Sequence, residues 1–114
     1  MQECLFCKII SGEIPADIIL DKKNILAFKD INPQAPVHIL IIPKIHISTL
    51  NDIDTMNSEI IGDLVKTASE IAKIEGIDRS GYRTVFNCNH DGGQTVFHIH
   101  LHLIGGRLLS WPPG

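Results

Sequence analysis

The chain has 114 residues, of which 44% are hydrophobic and 20% charged, and this composition indicates one globular domain of ordinary size. A net charge of −3 argues against a basic nucleic-acid-binding surface, and the longest apolar run, residues 37–43, is too short to span a bilayer. The amino terminus lacks the pattern of a secretory signal and the three cysteines are an odd number, so we expect reduced thiols and a cytoplasmic protein.

The first predicted element is a short helix within residues 4–12, where Phe6, Ile9 and Ile10 share one face and a glycine provides the stop. The same segment holds Cys4 and Cys7, at the spacing that lets two thiolates reach one zinc ion. Because such a site needs two more ligands, two buried thiols in a short helix remain the alternative.

Three strands are predicted next. Residues 18–20 and 25–28 are joined by a hairpin-like turn, and residues 37–42 form a continuous apolar strand that Pro43 ends. We expect this third strand near the centre of the sheet. His38 interrupts it. A hydrogen-bonded core residue and a ligand are the alternatives, and the side chain can combine both roles by orienting another imidazole.

A single long helix is predicted over roughly residues 55–75. Apolar residues recur there at steps of three and four, beginning with Met56, and Gly76 lies beyond the end. We assign this helix to the scaffold, where its apolar stripe covers one face of the sheet or part of a dimer contact.

The last part of the chain carries the candidate chemistry. A strand over residues 82–88 enters a polar loop whose paired glycines suit an anion-binding turn, and histidines then alternate with aliphatic residues over residues 98–104. A side-chain period of two predicts a strand with one imidazole face. Since each charged imidazole disfavours charging of the next, at least one is expected to be neutral near pH 7 and able to act as nucleophile, base or metal ligand. A strand whose histidines face water, or a pure metal site, are the alternatives.

The segment His98-Ile99-His100-Leu101-His102-Leu103-Ile104 matches the histidine triad signature, His-x-His-x-His-x-x with apolar x. Together with residues 30–36, 43–46 and 91–97 and the ending Trp111-Pro112-Pro113-Gly114, it resembles the Hint branch of the histidine triad family from about residue 5 onward. The resemblance implies one α+β domain over residues 1–114, with an antiparallel sheet, one long helix and a short N-terminal helix. It also implies a homodimer whose sheets join across the two-fold axis.

The activity implied by the resemblance is hydrolysis of the P–N bond of purine nucleoside phosphoramidates, such as adenosine 5′-phosphoramidate and adenylated lysine, to the nucleoside monophosphate. His100 corresponds to the nucleophile, which forms a nucleotidyl-histidine intermediate that water hydrolyses. His102 would contact the phosphoryl oxygens, His38 would lie behind the triad, and His98 completes it. Asp30 corresponds to the ribose-binding position. The other nucleotide-binding positions implied are Leu5, Phe6, Ile9, Phe28, Ile31, Asn87, Gly93, Gln94, Thr95 and Trp111, of which Trp111 would reach the site of the partner subunit.

No divalent cation is expected in the chemistry, because Asp91 alone offers an acidic ligand near the phosphate loop. A structural zinc is a separate matter, and the ligands that the resemblance implies for it are Cys4, Cys7, His46 and His98. The rival interpretations are a dinucleoside polyphosphate hydrolase of the same superfamily, a nucleotide-binding regulatory or scaffold dimer with little turnover, and a plain zinc protein. Thr95 stands where the family commonly has serine, which leaves the leaving-group preference open.

Overall fold

The computed structural model describes residues 3–114, so the first two residues of the predicted domain lie outside the described part. In chain order the elements are α1 (Leu5–Ile10), β1 (Ile18–Asp21), β2 (Ile25–Lys29), β3 (Val37–Pro43), a 3-10 helix (Leu50–Asp52), α2 (Ser58–Ile74), β4 (Tyr82–Phe86), α3 (Asn89–Gly92) and β5 (Leu101–Gly105). The strands form one antiparallel sheet in the order β1-β2-β3-β5-β4. The α+β prediction, with one long helix and a short N-terminal helix, is confirmed.

Strand β3 lies at the centre of the sheet, as predicted, and its side chains pack on both faces. Ile39 and Ile41 belong to the core that α2 covers, whereas Leu40 and Ile42 belong to a second cluster that includes Phe6 of α1. Because successive residues of a strand point to opposite faces, an uninterrupted apolar run is what a strand buried on both sides requires. The sheet is therefore covered by α2 on one face and by α1 on the other.

The hydrogen-bonded part of β5 begins at Leu101, so the prediction of a strand from residue 98 is wrong at its start. The register pairs Leu101 with Ile41, which would bring Ile99 opposite Pro43. Proline has no N–H to donate to a ladder, and the Ile99 N–H instead donates to the Ile47 carbonyl at 2.7 Å. The alternation of side chains nevertheless continues, since Ile99, Leu101 and Leu103 all lie in the core beneath α2. The histidines between them consequently face the side of α1.

Helix α2 begins at Ser58, later than the predicted start near residue 55. The carboxylate of Asp54 accepts the N–H groups of Met56 and Asn57, which forms a separate turn before the helix. Met56 lies in that turn and is 92% exposed, so its place in the predicted apolar stripe is wrong. The predicted end is confirmed, because Gly76 follows the helix with φ of +72°.

The strand predicted over residues 82–88 ends earlier, at Phe86, and the loop after it contains the short helix α3. The C-terminal residues after β5 are not helical, as predicted. Trp111 in this tail is 78% exposed, and the guanidinium carbon of Arg83 lies 5.7 Å from the centre of its ring. None of the helices in residues 3–114 combines the length and apolar character that a bilayer crossing needs.

Candidate active site and metal cluster

A cavity of about 350 Å³ opens on the face of the sheet that α1 covers. Nine of the predicted site residues line it, namely Leu5, Phe6, Ile9, Phe28, Asp30, Ile31, Thr95, His100 and His102. Its walls are mostly apolar, and its two histidines and its aspartate lie close together and form its polar end. A concave apolar pocket with a few converging polar groups is the usual form of a small-molecule site.

Several lining residues were not predicted from the sequence. Residues 14–16 close the cavity beyond α1, and Lys29, Leu40 and Val96 add to its walls. Leu40 could have been predicted, because it lies two residues after His38 and therefore on the same face of β3. For the loop of residues 14–16 no local pattern indicates which cavity it approaches.

Four predicted nucleotide-binding residues, Asn87, Gly93, Gln94 and Trp111, lie outside the lining of this cavity. Gln94 is buried beneath the loop that carries Thr95. Its Oε1 accepts the Asn89 N–H at 2.8 Å, and its Nε2 donates to the carbonyls of Ser48 at 2.8 Å and Val96 at 3.1 Å. The side-chain amide therefore links the loop to the backbone of Ser48, because both its oxygen and its nitrogen bond to backbone groups.

The ring of His100 has a fixed orientation and tautomer. Its Nδ1 lies 2.8 Å from the His98 carbonyl, which can only accept, so Nδ1 carries the proton and Nε2 has a free lone pair. The residue is 7% exposed and lines the cavity. Burial lowers the pKa of His100, an effect that its backbone hydrogen bond and the charge of Asp30 oppose in part. At neutral pH this imidazole is an uncharged base and a nucleophile.

His38 sets the tautomer of His102. The backbone N–H of Gln34 donates to His38 Nδ1 at 3.0 Å, so neutral His38 carries its proton on Nε2. That Nε2 lies 2.9 Å from His102 Nδ1 and donates to it, which leaves the proton of neutral His102 on Nε2. Burial lowers the pKa of His38, and burial with the charges of His100 and His38 lowers the pKa of His102 to about 4. One end of the cavity thus presents a lone pair on His100 beside an N–H donor on His102, with the two rings 5.0 Å apart.

Asp30 supplies the negative charge of the site. Its Oδ2 lies 3.4 Å from His38 Nε2, and its Oδ1 accepts the Asn32 N–H at 2.8 Å. The carboxylate opposes the lowering of the pKa values of the nearby histidines without reversing it. Asp30 also forms a triad of possible ligands with His38 and His102. This trio does not suit a cation, because the hydrogen bond from Gln34 leaves the His38 Nε2 protonated.

His98 is completely buried and points into a different cluster. Its Nε2 donates to the Pro43 carbonyl at 2.8 Å, so its Nδ1 is unprotonated. That Nδ1 lies 3.4 Å from Cys4 Sγ, 3.6 Å from Cys7 Sγ and 3.2 Å from His46 Nδ1. The ring therefore belongs to the cysteine cluster, while the carbonyl of the same residue holds His100.

The four side chains Cys4, Cys7, His46 and His98 have the geometry of a tetrahedral metal centre. Bonds of about 2.3 Å to sulfur and 2.0–2.1 Å to nitrogen place sulfur and nitrogen about 3.5 Å apart and two nitrogens about 3.4 Å apart. The distances here are 3.4 and 3.6 Å for sulfur to nitrogen and 3.2 Å for the nitrogen pair, and all four donor atoms lie within 4.8 Å of one another. Burial and the neighbouring Cys4 raise the pKa of the Cys7 thiol to about 11, so a metal would displace its proton. The donor set fits zinc.

A larger and more open depression of about 530 Å³ lies between the start of β4 and the C-terminal tail. Its two cations are engaged elsewhere, because Arg83 donates to the Ser110 carbonyl and Arg107 to the Gln34 carbonyl. Its lining contains no histidine, cysteine or carboxylate. The smaller cavity therefore holds the chemically capable groups.

Comparison with known proteins gives consistent results. The HIT domain family matches residues 11–109. The chain is 50% identical over 109 residues to the purine nucleoside phosphoramidase of Escherichia coli strain K12, covering 96% of this chain and 92% of that one. It is 48% identical over 112 residues to the 14 kDa zinc-binding protein of Zea mays, covering 96% and 87%. The crystal structure of a HIT family hydrolase from Legionella pneumophila Philadelphia 1 superimposes with a TM-score of 0.96 at 57% identity, covering 98% of this chain and all of that one.

Proposed function

The chain belongs to the HIT domain family, and from that premise we propose that it hydrolyses the P–N bond of purine nucleoside phosphoramidates to release the nucleoside monophosphate. The observation that carries this proposal is the unprotonated Nε2 of His100, which the His98 carbonyl fixes at the polar end of an apolar cavity. The similarity to a purine nucleoside phosphoramidase supports the choice of substrate. Adenosine 5′-phosphoramidate and adenylated lysine are the substrates we expect.

In the first step, the lone pair of His100 Nε2 attacks phosphorus as the P–N bond breaks, which gives a nucleotidyl-histidine and a free amine. The leaving nitrogen takes up a proton as it departs, so a donor must lie near it. The Nε2–H of His102 and the hydroxyl of Thr95 line the same cavity, and we assign them to the phosphoryl oxygens and the leaving-group side respectively. Water then attacks phosphorus, the P–N bond to His100 breaks, and the monophosphate is released. Covalent catalysis of this kind divides one difficult substitution into two easier ones.

The nucleoside is proposed to occupy the apolar part of the cavity. Phe28, Ile31 and the α1 residues offer flat and aliphatic surfaces to a purine, and Ile31 is 98% exposed at the mouth. The Asp30 carboxylate can accept hydrogen bonds from the two ribose hydroxyls. These contacts fix the substrate so that its phosphorus lies against His100, and positioning of this kind contributes to rate directly.

We also propose that Cys4, Cys7, His46 and His98 hold a structural zinc ion. The distances between the donor atoms support this, as does the similarity to a zinc-binding protein of Zea mays. A site with four protein ligands is closed and leaves no position for a substrate, which is typical of structural zinc. Such a site requires reduced thiols, in agreement with a cytoplasmic protein.

A homodimer is proposed as the working form, with Trp111 reaching the site of the partner subunit. Strand β4 is an edge strand of the sheet, and the exposed Trp111 lies beside its Arg83. Sedimentation equilibrium tests this directly, since a mass of one chain at micromolar concentration would contradict it.

The activity is tested by comparing the turnover of adenosine 5′-phosphoramidate with that of diadenosine triphosphate. We expect a kcat/KM at least tenfold higher for the phosphoramidate. The reverse order would identify a dinucleoside polyphosphate hydrolase instead. A protein that binds AMP and cleaves neither compound would be a nucleotide-binding module. The matched control is His100→Ala, which should lose turnover while retaining AMP binding within a fewfold.

A further inference from the structure

Helix α1 connects the metal cluster to the nucleotide cavity. Cys4 caps its N-terminus and Cys7 lies within it, while Leu5, Phe6 and Ile9 of the same helix line the cavity. The helix has only six residues, and an isolated helix of that length is not stable in water. Its position must therefore be set by the side chains that anchor it.

Phe6 is the residue that touches both sites. Its ring is 4% exposed and lies edge-on to His98 of the metal cluster, at 5.9 Å between ring centres, and to His100, at 5.1 Å. The ring also packs edge-on against Phe28 of the cavity wall at 5.5 Å. A shift of α1 would consequently move one wall of the cavity and the packing around the nucleophile together.

The contacts that hold α1 at the cluster are weak when no cation is bound. Thiols are poor hydrogen-bond donors and acceptors, and two of the links from the cysteines are sulfur–nitrogen contacts of 3.4 Å. The unprotonated Nδ1 of His98 lies 3.2 Å from Nδ1 of His46, an arrangement that requires a proton or a cation between the two nitrogens. Metal–ligand bonds would replace these contacts with four directed bonds, two of them to cysteines at the start of α1.

We propose that zinc in this cluster and a purine nucleoside monophosphate in the cavity bind with positive linkage, with α1 as the shared element and Phe6 as the positioning residue. The inference rests on the proposed function of the cavity. With zinc bound, α1 is already in place as a cavity wall, so the nucleotide does not have to order it. Linkage is reciprocal, and AMP must then tighten zinc binding by the same factor.

The test measures AMP binding by isothermal titration calorimetry to the zinc-loaded chain and to the same chain after removal of zinc with a chelator. We expect the Kd of AMP to rise about tenfold on zinc removal, within the usual range of coupling between two sites. A competition titration against a chromogenic chelator should show zinc bound about tenfold more tightly in saturating AMP. AMP affinities within twofold of each other would overturn the linkage.

A pair of core variants separates positioning by Phe6 from general loss of packing. Phe6→Leu should still bind zinc, but the ratio of its AMP Kd values without and with zinc should fall below about threefold. Ile42→Val is the matched control, since Ile42 is fully buried in the same apolar cluster and does not line the cavity. It should keep the tenfold ratio. A full ratio in Phe6→Leu would contradict the role assigned to that ring.

Amide hydrogen exchange of the wild-type chain gives a readout that needs neither variant nor activity. The N–H groups of Lys8 and Ser11 bond to the carbonyls of Cys4 and Cys7, and we expect them to exchange at least tenfold faster without zinc, while the amides of β3 change less. Equal exchange in both forms would overturn the anchoring of α1. If neither the zinc-loaded nor the zinc-free chain binds AMP, both the proposed function and the linkage are contradicted. If both forms bind AMP equally, only the linkage fails.

Discussion

Replacing His38 by phenylalanine should disable the site without altering any group that contacts the substrate. The ring keeps its approximate shape, but the acceptor for the Gln34 N–H and the donor to His102 Nδ1 are both lost. Each of these buried hydrogen bonds contributes about 1–2 kcal/mol once the partner left unsatisfied is counted. The free energy of unfolding should therefore fall by about 2–4 kcal/mol in all. Because the His38 side chain is 4% exposed, solvent offers little compensation.

The effect of His38→Phe on catalysis follows from the tautomer of His102. Without the donor from His38, the proton of His102 is free to occupy Nδ1, and the Nε2 that faces the cavity then has no hydrogen to donate. We expect kcat for adenosine 5′-phosphoramidate to fall about 10- to 100-fold, the usual effect of losing a group that orients a functional imidazole. His38→Gln, which retains an N–H donor, should recover part of this loss.

The assay combines steady-state kinetics with nitrogen-15 NMR of the imidazole rings. In the wild type the spectra should show His100 protonated on Nδ1 and His102 protonated on Nε2. In His38→Phe the His102 signals should shift toward a mixture of tautomers. A variant with kcat within threefold of the wild type, or a wild-type His102 protonated on Nδ1, would show that His38 does not set the tautomer on which turnover depends.

Three further predictions concern pH, metal and the loop. The pKa of His102 is lowered to about 4, so between about pH 4 and 6.5 the unfolded chain binds more protons than the folded one. The free energy of unfolding, measured by urea titration, should therefore fall as the pH drops from 6.5 to 4. A rise over this range would contradict the lowered pKa. At a free zinc concentration 100 times the Kd of the site, removing zinc lowers the free energy of unfolding by about 2.7 kcal/mol, which lowers Tm by about 10 °C for a chain of this length. Calorimetry with and without a chelator measures this shift. An unchanged Tm would show that the site holds no zinc. Gln94→Met removes the three hydrogen bonds of a buried side chain and should lower kcat/KM about tenfold and, at about 1–2 kcal/mol per bond, stability by about 3–6 kcal/mol. Glu59→Gln on the exposed side of α2 should leave kcat/KM unchanged and cost at most about 1 kcal/mol, since its charge lies in the first turn of the helix. Wild-type kinetics in Gln94→Met would show that the loop does not depend on these hydrogen bonds.

The sheet was predictable because its signals are local. The apolar run of β3 and the alternation around His100 follow directly from the period of a strand. Where β5 begins to pair was not predictable, since it depends on the missing N–H of Pro43 and on Ile47, both more than fifty residues away. The start of α2 depends on a carboxylate, that of Asp54, which competes with the helix for backbone donors.

The site was predictable in part, and the limits have physical causes. The alternation indicated that the three triad histidines share a face, whereas only the family resemblance predicted that the ring of His98 joins the cysteines while His100 faces the cavity. That difference arises from which carbonyl each ring bonds, Pro43 for one and His98 for the other. The inward position of Gln94 likewise depends on the Ser48 carbonyl, from a segment remote in sequence. The carbonyls of Pro43 and Ser48 lie about fifty residues from the side chains that they bind, so the local sequence gives no indication of them.

Attack of the His100 Nε2 on phosphorus would leave the nucleotide on that residue, and mass spectrometry after rapid quenching with adenosine 5′-phosphoramidate detects such an adduct. We expect an adenylated peptide that contains residues 98–102, with the added mass on His100 and absent from His100→Ala. Multiple turnover by the wild type with no adduct at any time point, or with the adduct on another residue, would contradict it.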